Sequence, residues 1–171
     1  MPLDRHQLAD IAIAQIFNLK RSSEWSSVEK NFIHVNPKCA ACGVTEPVNV
    51  HHIFPFHFVV LCGRPDLELD TRNLITLCTE PVNQHHVLLG HLDDYESFNP
   101  DVAKFVKADA KRTSEQIRSE SAFQQAHAVK PKHLQLMTPE EKAVFKQLLD
   151  KSLPADPAIV TKAAKARAAG Q

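Results

Sequence analysis

The chain carries no net charge, because 20 lysines and arginines are matched by 20 aspartates and glutamates. That excludes attachment to nucleic acid through bulk positive charge and leaves a local basic face or a bound cation as the source of attraction. Nowhere is there an apolar run of about 18 residues, the least that reads as a membrane-spanning helix, so no membrane partner is expected. The first residues, with Asp4, His6 and Asp10 among them, are unlike a secretory signal, and the expected location is cytoplasmic. No internal repeat is evident. Cysteine is sparse, at four residues. Four could make two disulfides, but Cys-x-x-Cys beside clustered histidines in a chain read as leaderless favours metal.

What the chain does hold is histidine. Ten are present, and seven fall between His34 and His91. With 43% hydrophobic residues over 171 positions, a core is affordable and one compact domain with peripheral helices is expected. The organisation reads as N-terminal helices over 1–38, a chemistry-bearing core over 39–102, and a C-terminal helical extension and tail over 103–171.

Residues 3–19 have helical spacing, with Leu8, Ile11, Ala12, Ile16 and Leu19 along one side. Trp25, Val28 and Phe32 form the stripe of a second helix, read as core, with Ser22 or Ser23 as N-cap and Pro37 as its stop. Gly43, after Cys39-Ala-Ala-Cys42, suits a knuckle turn needing a positive φ. "VNVHHIF" has strand character, "CGRPDLELDTRN" reads as loop, and "LITLC" is a short apolar run. "NQHHVLLGHL" is expected to begin a helix that breaks near Gly90. Farther on, "NPDVAKFVKADAKRTSEQIRSE" reads as helical from an Asn99 cap. Thr138 and Glu141 stand at capping-box spacing before a helix expected to bury Val144, Phe145, Leu148 and Leu149. The alanine-rich end is a marginal helix or a frayed tail.

Structural zinc takes four Cys or His ligands in a tetrahedron. Cys39 and Cys42 supply one half, Cys78 is the natural third ligand, and His85 is the best candidate for the fourth. A disulfide between Cys39 and Cys42, and simple burial of Cys78, are the plainer alternatives; Cys62 fits neither role and reads as an ordinary thiol. Consecutive strand positions put His51 and His52 on opposite faces, so one can reach a metal while its neighbour reaches something else. A cation together with a neutral imidazole suits hydrolysis near pH 7.

"HHIFPFH", "DTRNLITLC" and "HHVLLGH", in that order behind Cys-x-x-Cys, resemble the His-Asn-His (HNH) endonucleases over roughly residues 21–102. The resemblance implies an α+β fold: a small ββα-metal finger with a zinc knuckle, flanked by N- and C-terminal helices. It also implies metal-dependent hydrolysis of phosphodiester bonds in DNA, in a bacterial cell or phage-infected host. By the same resemblance His52 is the general base, His51 the first ligand of the catalytic cation, and Asn73 the middle Asn that braces the finger and orients the base. His86 is the final His of the motif and a ligand, and His91 an additional one. The implied cofactors are a structural Zn²⁺ and one catalytic divalent cation, Mg²⁺, Mn²⁺, Ni²⁺, Co²⁺ or Zn²⁺. The chain departs from the family in two places. Cys78 is followed by six residues before His85 and has no second cysteine nearby, and His86 to His91 is a gap of five where an α-helix stacks side chains four apart.

Arg64 is a candidate phosphate contact, and His57 reads as structural or substrate-facing. Lys104, Lys107, Lys111, Arg112 and Arg118 form either a phosphate-contacting face or a solvated one. The competing readings are a non-catalytic zinc module that binds nucleic acid or a protein, a metal-dependent hydrolase of another substrate, and a structural domain with incidental histidines.

Overall fold

Two short stretches rich in β-branched residues, Val48–His52 (β1) and Leu74–Cys78 (β2), pair antiparallel in the computed structural model, which describes residues 5–107 and 112–169. The register sets Val48 opposite Cys78 and His52 opposite Leu74. Eight α-helices accompany this sheet among the described residues: α1 (Arg5–Phe17), α2 (Trp25–Val35), α3 (Phe56–Leu61), α4 (Val102–Lys107), α5 (Ser114–Ser119), α6 (Ser121–Ala128), α7 (Pro139–Ser152) and α8 (Pro157–Ala169). The fold is therefore mixed, helical for the most part, with a small two-stranded sheet. None of the described helices is long and apolar enough to cross a membrane.

Contacts divide the chain into two compact units. One comprises residues 26–54 and 73–133 and contains the sheet; the other comprises 1–25, 55–72 and 134–171. These boundaries differ from the three-part division read along the sequence. A change in composition marks where the chemistry lies, whereas packing is decided by which segments return to one another.

In the sheet-bearing unit the core gathers Leu77, Leu88, Leu89, Val102, Ile117 and Phe123 with the buried cysteines Cys39 and Cys78. Burial of each of the larger aliphatics stabilises by roughly 1.5–3 kcal/mol. The end of α2 is tied to β2 by two bonds: Thr76 Oγ1 donates to the Asn36 carbonyl (2.8 Å) and Ala40 N to the Thr76 carbonyl (2.9 Å). Those bonds carry the segment beginning at Cys39 to the strand that ends at Cys78. Val28 and Phe32 are half-buried, as is Trp25 of the other unit, so the α2 stripe does not form deep core.

In the other unit, Phe17 of α1 packs on His57 and Phe58 of α3, and Phe58 meets Phe145 of α7 edge-on. The face of α1 differs from the one expected. Ile13 and Phe17 are buried, while Leu8, Ile11 and Ile16 are exposed. Apolar residues occur on every side of this helix, so periodicity did not select a face. Asn18, at φ +52°, ends α1 in the left-handed conformation that asparagine tolerates, which leaves Leu19 outside; residues 3 and 4 lie outside the described chain. In α7 the capping box forms as expected and Leu149 is fully buried, but Val144 and Leu148 are exposed.

The helical stretch after Asn99 is interrupted. α5 starts afresh with its own capping box, Thr113 with Gln116, and residues 108–111 lie outside the described chain. Residues 157–169, expected as a marginal helix or a tail, form α8.

Candidate functional site

Gly43 takes φ +78°, as the knuckle requires, and donates its N–H to the Cys39 carbonyl while Cys39 N bonds the Val44 carbonyl. This tight turn presents Cys39 and Cys42 to Cys78 at the end of β2. His85 comes back to them because residues 79–84 close on themselves. The Glu80 carboxylate accepts from Val82 N and Asn83 N, and Gln84 N bonds the Glu80 carbonyl before Gln84 itself turns left-handed. The six-residue insertion after Cys78 thus makes a compact turn that preserves the expected ligand set.

The result is a Cys₃His cluster of Cys39, Cys42, Cys78 and His85, with every donor atom within 4.8 Å of the others. Cys42 Sγ lies 3.8 Å from Cys78 Sγ, and His85 Nδ1 lies 3.3 Å from Cys78 Sγ and 3.7 Å from Cys39 Sγ. A tetrahedron with Zn–S of about 2.3 Å and Zn–N of about 2.0 Å has S···S edges of about 3.8 Å and S···N edges of about 3.5 Å. The observed edges fit, and the cluster can hold a metal ion such as zinc.

The disulfide alternative for Cys39 and Cys42 is overturned, since all four cysteines are unbridged. Cys62 is a buried thiol and not a member of this group. A hydrogen bond from Cys78 is the largest influence drawing the Cys39 thiol well below its ordinary range, and the same contact pushes Cys78 up. Sulfurs this close share protons unevenly; a coordinated dication lets all of them ionise.

A second group consists of His51, His86 and His91, again with donor atoms within 4.8 Å of one another. The rings stand nearly edge to face, with centroids 5.2 Å apart for His51–His86, 4.8 Å for His51–His91 and 5.0 Å for His86–His91. His51 comes from β1. The other two bracket a π-helical turn over His86–Gly90. In an α-helix five residues leave side chains about 140° apart around the axis. In a π turn hydrogen bonding runs from i to i+5, and that brings His86 and His91 to one side. The five-residue gap is thereby reconciled with a common site. Leu92 and Asp93 follow at φ +52° and +59°, sparsely populated values for such residues, and swing the chain away after His91.

The donor set of this second group suits a divalent cation. His51 Nε2 is buried and lacks a hydrogen-bond partner, a costly arrangement for a polar atom that a ligand would relieve. His91 Nδ1 lies 2.7 Å from the Ser97 carbonyl, to which it donates, leaving Nε2 with its lone pair toward the group. Burial above all, with the His91 and His86 imidazoles beside it, holds His51 well below the ordinary histidine range, so it is neutral and able to ligate at pH 7.

His52, opposite Leu74 in β1, is buried and stands outside this trio, as strand alternation requires. Asn73, fully buried, clamps the chain two residues past His52. Its Oδ1 accepts from Phe54 N (2.8 Å) and its Nδ2 donates to the Phe54 carbonyl (3.0 Å).

Arg64 is corrected. Only 4% exposed, it forks onto Asp66 (2.7 Å), reaches Asp150 (2.8 Å) and donates to the Leu153 carbonyl, so its charge is spent inside the protein and it is no phosphate contact. His57 is corrected in setting. It lies in helix α3, not in a strand or loop, and its ring packs 4.8 Å from that of Phe17, tilted by 30°. Of the basic residues proposed for a phosphate face, Lys104 pairs with Asp101, Arg112 with Glu120 and Arg118 with Asp93. The side chains of Lys107 and Lys111 lie outside the described residues.

The sequence reading missed a surround to the three imidazoles. Tyr95 and His133 lie against His91, with ring centroids at 5.2 and 6.1 Å. His133 N bonds the Glu96 carbonyl, His133 Nε2 bonds the Tyr95 carbonyl, and Lys132 pairs with Asp94 and bridges to Ser97. This clamp holds the carbonyl that orients His91. Its one sequence signal is a histidine far beyond the motif, which nothing local could attach to it. Comparison of the chain with models of protein families, with curated proteins and with solved structures gave no match.

Proposed function

We propose that the protein is a metal-dependent endonuclease of the His-Asn-His type that hydrolyses phosphodiester bonds in DNA. The observation that carries this reading is the convergence of His51, His86 and His91 in one group beside a separate Cys₃His cluster. A structural zinc site has no use for three further imidazoles, two of them buried and the third partly so. The order β1, β2 and then a helical turn bearing the last ligands supports reading the region as a ββα-metal finger.

His51, His86 and His91 would hold the cation, and Cys39, Cys42, Cys78 and His85 the zinc. When bound, the cation supplies charge neutralisation at the phosphate as the phosphorus becomes five-coordinate. His52, on the other face of β1, takes the proton from the attacking water as a neutral imidazole. Asn73 keeps the strand end that carries His52 from drifting, through its paired bonds to the Phe54 backbone.

The test is nicking of plasmid DNA by purified protein in the presence of Mg²⁺, Mn²⁺ or Ni²⁺. Cleavage is expected to require the added cation and to be stopped by EDTA. His52→Ala should abolish it with fold and zinc content intact; cleavage by that variant at the parental rate would sink the base assignment.

A second reading is a non-catalytic zinc module that binds nucleic acid or a protein. Its support is the balanced charge, together with the intramolecular pairing of Arg64, Arg112 and Arg118. Absence of nicking with every cation, in a protein that carries zinc, would favour it.

A further inference from the structure

Gly90 closes the π turn, and its backbone does not call for glycine. The positive φ values among the described glycines belong to Gly43 and Gly63, so Gly90 adopts a conformation open to any residue. Space is what forbids a side chain. A Cβ at this position would lie 3.0 Å from Cε1, 3.1 Å from Nδ1 and 3.1 Å from Nε2 of His51, where ordinary contact starts at 3.4 Å. The imidazole thus rests flat on the bare Cα.

Neither partner can give way easily. His51 is buried, with the His91 and His86 rings at 4.8 and 5.2 Å. The backbone at Gly90 is held by Asn99, whose N–H donates to the Gly90 carbonyl (2.9 Å) and whose Nδ2 donates to the Leu89 carbonyl (2.8 Å). A displacement of a few tenths of an ångström must therefore fall on the His51 ring.

We infer that Gly90 is a positioning residue for the three-imidazole group, its missing side chain forming the seat on which the His51 ring is held in ligating register with His86 and His91. The inference rests on reading that group as a cation site.

The experiment compares zinc-loaded parent, Gly90→Ala, His51→Ala and the double variant. Each is titrated with Ni²⁺ by calorimetry, with zinc content and thermal melting measured on the same samples. The parent should take up one Ni²⁺ beyond its zinc. Gly90→Ala should bind it about 10- to 100-fold more weakly, the range seen when the support of a ligand is disturbed, while keeping its zinc. With His51 truncated the seat has no occupant, so the double variant should match His51→Ala in both affinity and melting temperature.

Parental Ni²⁺ affinity in Gly90→Ala overturns the inference alone. So does a melting loss from Gly90→Ala that persists in the His51→Ala background, because that would place the cause in the backbone. If Gly90→Ala fails to fold, the double variant must fold, and its failure is equally decisive. A parent that binds no cation beyond zinc overturns the cation site itself and this inference with it.

Discussion

Asn73 shows how much a single side chain can do when both ends of its amide are committed. It offers one acceptor and one donor to the N–H and C=O of the same residue, Phe54, in an environment without solvent. Truncation to alanine removes both partners at once and leaves two backbone groups buried and unsatisfied. Asn73→Ala is accordingly expected to destabilise by about 2–4 kcal/mol, read as a lower urea midpoint with an unchanged slope. Asn73 was picked out from the sequence through its place in a family-like string; its partner was not, since nothing within a few residues names Phe54. Arg64 shows the opposite outcome. A loop arginine near clustered histidines invites a phosphate, yet Asp66 and Asp150 claim it, and Asp150 lies 86 residues away in the chain.

At the scale of elements, legibility followed the range of the forces. The capping box of α7 needs Thr138 and Glu141 alone, and both of its bonds form: Glu141 N donates to Thr138 Oγ1 (3.2 Å) and Thr138 N to Glu141 Oε2 (2.7 Å). Thr138→Ala should cost about 1 kcal/mol, measurable as a small drop in melting temperature without loss of zinc. The faces of α1 and α7 were less legible, because each offers more apolar residues than its neighbours can cover. Val144 and Leu148 stay exposed for that reason, while Phe145 and Leu149 are taken inward. The π turn was legible only as an awkward spacing. Five residues between histidines conflict with an α-helix, and the extra residue in the turn resolves the conflict at His86–Gly90.

Across the whole molecule, His85 and His86 are consecutive yet belong to different clusters. The peptide between them joins a group built from thiols to a group built from imidazoles. Loss of the first should therefore be felt widely in the sheet-bearing unit, whose core includes Cys39 and Cys78. Cys39→Ser is expected to release zinc and unfold that core, since zinc binding in small domains contributes on the order of 10 kcal/mol of folding free energy. Metal analysis with near-ultraviolet circular dichroism checks this. A folded variant that keeps its full zinc would refute the cluster as a structural site.

The resemblance to a known family supplied the histidine candidates; from local sequence pattern came the knuckle spacing of Cys39 and Cys42 with Gly43 at its turn, both strands and the cap of α7. These depend on neighbours a few residues apart, where chain connectivity already restricts the geometry. The tertiary structure decided which histidines meet, what consumes Arg64, why position 90 has no side chain, and how residues 79–84 return His85 to the cysteines. Each of those turns on distances between segments far apart in the chain, set by the β1–β2 register and by packing, which no local pattern encodes.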